Sequence, residues 1–182
     1  MTIISLNQTF TRWDELLALI LASFASMNGR IDPPSSALKL TTESLAEKAR
    51  TEIGHVAIDG EKLIGCLFLR PEADCLYVGK LAVLPEVQGK GLGKRLLTIA
   101  EETAAALGLP ALRLETRIEL TDNHAVFAAW GFSRTAEKAH PGFARTTFVE
   151  MRKVLAPPIC VARLTAFFND PAVPDSAACD RR

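Results

Sequence analysis

Apolar positions along this chain keep two rhythms, one alternating and one of three- and four-residue spacing, and turn residues mark where they change over. Thr2 to Leu6 reads as a short strand ended by Asn7 and Gln8. Trp13, Leu16, Leu17, Ile20, Leu21 and Phe24 then give one apolar face to a helix capped by Thr11, and Asn28-Gly29 stops it. The loop Arg30-Ile31-Asp32-Pro33-Pro34-Ser35-Ser36 leads to a second helix, roughly Thr42 to Arg50. Strands Ile53 to Ile58 and Leu63 to Arg70 flank the turn Asp59-Gly60-Glu61. After Pro71-Glu72-Ala73-Asp74 comes a third, Leu76 to Leu84, which its composition makes central. Gly79 inside it predicts a bulge or a close backbone approach, the alternative being relief of crowding against a helix.

The second half begins with Leu92, Leu96, Ile99/Ala100, Thr103 and Leu107, one stripe at helical spacing that ends at Gly108-Leu109-Pro110. Ala111 to Thr116 is the next strand. Thr121-Asp122-Asn123-His124 caps a short helix through Ala125, Phe127 and Ala128, and Trp130-Gly131-Phe132 leads out of it. Arg134 to Lys138 and Thr146 to Val154 form a last antiparallel pair across His140-Pro141-Gly142-Phe143. The order β-α-α-β-β-β-α-β-α-β-β predicts an α/β (α+β) fold, a mixed sheet flanked by helices, in one domain over residues 1–155. Ala156-Pro157-Pro158 breaks the last strand, and residues 156–182 read as an extension, with a short turn over Ile159 to Phe168 and a mobile tail from Asn169.

Composition narrows this little. With 182 residues, 48% of them hydrophobic and 23% charged, the chain is long enough for one good core. Lysines and arginines number 21 against 21 acidic residues, so no global field draws nucleic acid or an anionic membrane. Any affinity for phosphate must be local. The apolar run Leu16 to Phe24 is too short to span a bilayer, and no signal-peptide charge pattern precedes it, so a cytoplasmic protein is expected. Four cysteines without a short repeated spacing, and histidines scattered at 55, 124 and 140, give neither a disulfide framework nor a metal site.

The local phosphate site is Leu84-Pro85-Glu86-Val87-Gln88-Gly89-Lys90-Gly91-Leu92-Gly93-Lys94. An apolar strand ends at a proline, a basic glycine-rich turn follows, and a helix opens at once. Glycines let backbone N–H groups converge unobstructed, and the first helical turn leaves its own N–H groups unpaired. Lys90 and Lys94 add positive charge, so the natural guest is a pyrophosphate. The spacing is neither that of a Walker A loop nor a full dinucleotide fingerprint.

Gln88-Gly89-Lys90-Gly91-Leu92-Gly93 resembles the acyl-CoA signature of the GNAT superfamily of N-acyltransferases, Gln/Arg-x-x-Gly-x-Gly/Ala. The resemblance covers about residues 3 to 153. It implies an acetyl-CoA-dependent N-acetyltransferase in which a primary amine attacks the thioester directly in a ternary complex, the alternative being a non-catalytic acyl-CoA binding or sensing module. It also implies a central strand splayed from its neighbour, so that the backbone of Leu81, Ala82 and Val83 holds the acyl carbonyl and pantetheine amides. Cys66 and Cys75 are then core thiols rather than nucleophiles. Many GNAT enzymes carry a tyrosine four residues before the Gly-Phe that ends the second motif; here that position is Phe127, which has no proton to give. Asn123, one turn earlier, either hydrogen-bonds the cofactor arm or only caps its helix.

Glu115 and Tyr77 are the candidate bases. Glu115 shares its side of the strand with Arg113 and Arg117, which equally describes a solvated salt-bridged face. GNAT-like domains place the acceptor beside the linker between their first two helices, which makes Arg30 and Asp32 candidates for a carboxylate and an ammonium; a solvated connector is the alternative. His55 points either into the acceptor cleft or into a structural setting. The acceptor is a small-molecule or peptide amine of unspecified kind, and analogy with the family suggests a homodimer through the last two strands and an apolar fringe at Phe143 and Phe148.

Overall fold

The computed structural model describes residues 1–156. In chain order these form β1 (Thr2–Ser5), α1 (Trp13–Phe24), α2 (Thr42–Thr51), β2 (Ile53–Asp59), β3 (Lys62–Pro71), β4 (Leu76–Val83), α3 (Leu92–Ala106), β5 (Ala111–Arg117), α4 (Thr121–Ala129), β6 (Ser133–Lys138) and β7 (Phe148–Val154). Helix α1 ends in a 3₁₀ turn at Ala25–Met27, just before the expected stop at Asn28-Gly29, and further 3₁₀ turns at Ser36–Lys39 and Pro85–Val87 lie within connections. The expectations for the extension lie outside the described residues.

One seven-stranded sheet runs β1-β2-β3-β4-β5-β7-β6, and only β4 and β5 are parallel. Helices cover both faces. A Cβ on Gly65 would stand 3.1 Å from Leu92 and 3.2 Å from Leu96, so the missing side chain seats α3 against β3. Three residues on, and therefore on the other face, the Phe68 ring lies under Lys48 of α2, 5.6 Å from its ammonium. Leu16 and Ile20 of α1, Leu45 of α2, Leu96 and Leu97 of α3 and Phe68 are fully buried, and each such side chain removes about 1.5–3 kcal/mol of apolar surface from water.

Several local expectations need correction. Helix α1 buries Leu16, Leu19, Ile20 and Ser23, while Leu21 is exposed. Beyond Asp14 and Glu15 in its first turn the segment is apolar on nearly every side, so periodicity alone did not set its phase. Its N-cap is Arg12 without a side-chain bond, not Thr11. A reciprocal cap occurs instead at α2, where Ser44 N–H donates to Thr41 Oγ1 at 3.2 Å and Thr41 N–H to Ser44 Oγ at 2.9 Å. Thr121, Asp122, Asn123 and His124 form the first turn of α4 rather than its cap, which is Leu120. Of the last two strands, only β6 is an edge, because β7 is paired on both sides. Phe148 faces inward, its ring 5.0 Å from that of His140, and so is no surface fringe.

Candidate active site

The bulge expected near Gly79 lies one residue further on. The β3–β4 register passes from Phe68↔Gly79 to Cys66↔Ala82, leaving an extra residue on β4, and Lys80 there has φ +49°. Gly79 itself leaves room for the Tyr77 ring, which would stand 3.2 Å from a Cβ there. On its other side β4 meets β5 only through Leu76↔Leu112 and Tyr77↔Arg113. Beyond that pair the two strands diverge, and the divergence opens a cavity of about 230 Å³.

Residues 77–81 of β4 form one wall of the cavity and 114–117 of β5 the other. Asn123 and Phe127 of α4 close one end, and Ile31, Ser35 and Ser36 of the loop between α1 and α2 the other side. The Phe127 ring is fixed edge-on between Trp130 and Phe132, with centroids at 5.8 and 5.9 Å.

The cradle follows from β4. Gly89 has φ +74°, and Gly91, the N-cap of α3, has φ +84°; a Cβ on either would meet nothing within 4 Å. Arg95 N–H is the first to reach back, to Gly91 O at 3.1 Å, so the N–H groups of Leu92, Gly93 and Lys94 have no partner within the helix. This open backbone, with exposed Lys90 beside it, fits a pyrophosphate. Two residues of the signature serve packing rather than the cradle. Gln88 Nε2 donates to Val83 O at 2.9 Å and braces the turn against the strand. Gly93 makes room for Trp130, whose ring would stand 3.1 Å from a Cβ.

Glu115 and Tyr77 both line the cavity, on the sheet face that carries α2. Glu115 accepts from Arg113 Nη1 at 2.7 Å. Arg113 is itself held by Glu72 through two bonds of 2.9 Å, and that pairing draws the Glu72 carboxyl down to about 2. The Tyr77 ring lies between the Arg70 and Arg113 guanidinium groups, at 4.8 and 4.6 Å. Burial, reinforced by the Glu115 charge, pushes its phenol up to about 12. Tyr77 is thus a poor base near neutrality and a phenol that keeps its proton.

The expected acceptor contacts are mostly elsewhere. His55 has the strand parity of Ala57, which pairs with Gly65, and so lies on the α3 face, outside the cavity; burial lowers its pKa. Asp32 is committed to Arg145, 2.6 Å away, and its N–H donates to Glu119 at 3.3 Å. Arg30 is exposed and does not line the cavity. Buried Cys66 and Cys75 have thiols raised to about 12 and about 11, chiefly by burial, which suits core thiols better than nucleophiles.

Three lining residues had no assigned role in the sequence. Arg117 donates to the Pro33 and Pro34 carbonyls and tethers the helix-connecting loop to β5. His140 has both ring nitrogens within 3.2 Å of Arg117 Nη1, and burial followed by that charge keeps its pKa below the usual imidazole value. Lys80, at the bulge, donates to Ser36 Oγ at 3.1 Å. The bulge signal at Gly79 pointed toward Lys80, and strand alternation placed Arg117 beside Glu115; no signal singled out His140.

Among solved structures, the PaiA N-acetyltransferase from Thermoplasma acidophilum, in complex with coenzyme A, is 20% identical (TM-score 0.67; 85% of this chain, 100% of that one). A GNAT family acetyltransferase from Elizabethkingia anophelis with acetyl-CoA bound is 18% identical (TM-score 0.60; 85% and 97%). The aminoglycoside 6′-N-acetyltransferase from Enterococcus faecium is 16% identical (TM-score 0.68; 86% and 98%). At these identities the likeness is one of fold. No curated protein matches the chain. Residues 13–132, about two thirds of the chain, match the Acetyltransferase (GNAT) family, and they span the bulged strand, the glycine cradle and α4. The chain therefore belongs to the GNAT family of acetyltransferases.

Proposed function

We propose that this protein transfers an acetyl group from acetyl-CoA to a primary amine in a ternary complex. The observation that carries the reading is that the cleft between β4 and β5 opens past Tyr77, includes the bulge at Lys80, and lies on the strand that leads straight into the open glycine cradle. Acetyl-CoA supplies an activated thioester; the chain supplies position, donors and proton handling. Backbone N–H groups of Gly89 to Lys94 hold the pyrophosphate, and Lys90 and Lys94 add charge. The backbone of Leu81, Ala82 and Val83 would hold the pantetheine arm, and Asn123 and Phe127, which line the same cleft, would contact it.

Glu115 is the lining carboxylate and takes the acceptor's proton, directly or through water. Tyr77 keeps its phenolic proton and offers a hydrogen bond toward the cleft. The acceptor enters past Ile31, Ser35 and Ser36. The test is calorimetric titration with coenzyme A, ATP and NAD, followed by free-thiol release from acetyl-CoA with and without a panel of primary amines. Selective coenzyme A binding and amine-dependent thiol release are expected; absence of coenzyme A binding by the folded protein overturns the reading.

A further inference from the structure

Charge in the cavity is out of balance. Its lining holds two cations, Lys80 and Arg117, against one carboxylate, Glu115, which is already paired with Arg113. Among the described residues, no carboxylate lies within 4.0 Å of either cation. The two cations differ in what remains free. Arg117 is committed to two carbonyls and to His140, and acts as a fixed positive pole. Lys80 makes one hydrogen bond, to Ser36 Oγ, which leaves two ammonium N–H groups unused and the Ser36 hydroxyl proton free to donate.

The backbone also fixes where this ammonium starts from, because Lys80 sits at φ +49° in the bulge, next to Leu81. Lys80 is half-buried, and burial together with the Lys48 charge lowers its pKa. An anion placed against it would relieve both effects. Across the cleft, Glu115 supplies the opposite pole. A ligand that carries both an ammonium and a carboxylate matches this arrangement in sign. The cavity, at about 230 Å³, is below the usual range for drug-sized ligands, so that ligand is small.

Resting on the acetyltransferase reading, we infer that the acceptor is a small amine that also carries a carboxylate, of the α-amino acid type, with the carboxylate held by Lys80 and the Ser36 hydroxyl and the amine turned toward Glu115. The transfer balances as follows: the ammonium gives one proton to Glu115 or water, the amine nitrogen bonds to the acyl carbon, the carbon–sulfur bond breaks, and the second nitrogen proton passes to the departing thiolate, leaving an amide, a free thiol and one proton for solvent.

The test measures thiol release from saturating acetyl-CoA with α-amino acids and their carboxamides, comparing kcat/KM per free amine. At least one acid should exceed its amide tenfold or more. Lys80→Gln should bring that ratio to within about twofold, and Lys80→Arg should retain a preference for the acid. Equal use of acids and amides, a preference that survives Lys80→Gln, or turnover only of amines without a carboxylate overturns the inference while leaving the enzyme reading intact. Coenzyme A binding without turnover of either series also overturns it, and absence of coenzyme A binding overturns both. If Lys80→Gln does not fold, Ser36→Ala serves, with a threefold or greater loss of the acid-to-amide ratio expected and an unchanged ratio counting against the inference.

Discussion

Replacing Gly91 by valine tests the cradle, and the fold supplies its own control. Gly91 sits at φ +84° with no atom within 4 Å of the position a Cβ would take. The Cβ of a valine there meets nothing, but the residue must adopt a left-handed backbone, at a cost of about 1–3 kcal/mol. Against a total stability of about 5–15 kcal/mol the variant stays folded. Gly108 offers the same strain elsewhere. It has φ +68°, also with nothing within 4 Å, at the far end of the 15-residue α3, about 22 Å away at 1.5 Å per residue. Both Gly91→Val and Gly108→Val should lower Tm by about 2–4 °C per kcal/mol of strain. Only Gly91→Val should weaken coenzyme A, by tenfold or more, about 1.4 kcal/mol. Melting curves and calorimetric Kd values for the two variants decide the matter. A folded Gly91→Val protein that binds coenzyme A within twofold of the parent refutes the cradle, and equal losses in both variants would trace the effect to instability instead.

Phe127→Leu should cost little, and Phe127→Ala should raise the KM for acetyl-CoA through lost ring contacts; a hundredfold fall in kcat for the leucine variant, with folding and cofactor affinity intact, would give the ring a catalytic role. Glu72 has its carboxyl lowered from 4.5 to about 2 by Arg113, so its stabilisation, about 3 kcal/mol at most, is present above pH 4.5 and is lost as pH falls toward 2. Denaturant titrations across that window should show a smaller loss in Glu72→Gln, and matching pH curves would remove Glu72 from the account. A homodimer, if it forms through the exposed β6 edge, should scatter light at roughly twice the 19.8 kDa chain mass at tens of micromolar, and a monomer mass there counts against it.

The elements were legible in sequence wherever period and punctuation agreed. Gly108-Leu109-Pro110 closes α3, and the glycine turn opens it, because both signals act within a few residues. The phase of α1 was not legible, since nearly every side of that helix is apolar and only packing against β3 and β4 selects Leu19 over Leu21. The site was half legible. Gly79 announced irregularity in β4, but which residue would take φ > 0 depended on the register with β3. Lys80, Arg117 and His140 meet through contacts spanning from 23 to 84 residues of sequence, which no local pattern encodes. His55 lies off the cavity for a related reason: strand parity fixes its face relative to its neighbours, but which face the cavity opens on is decided by the helices.

The two residue pairs joining β4 to β5 have a mechanical consequence. The sheet behaves as two plates, β1 to β4 on one side and β5, β7 and β6 on the other, hinged along one short seam, with α3 touching both. A molecule lodged in the seam acts as a rivet. At a hundred times its Kd such a ligand adds about 2.7 kcal/mol to stability. Amide exchange in Val78 to Val83 and Leu114 to Arg117 should then slow more than elsewhere when coenzyme A is added. Loosening the hinge by substitution would weaken the rivet even at positions that never touch it, so loss of cofactor affinity alone does not identify a contact residue in this fold.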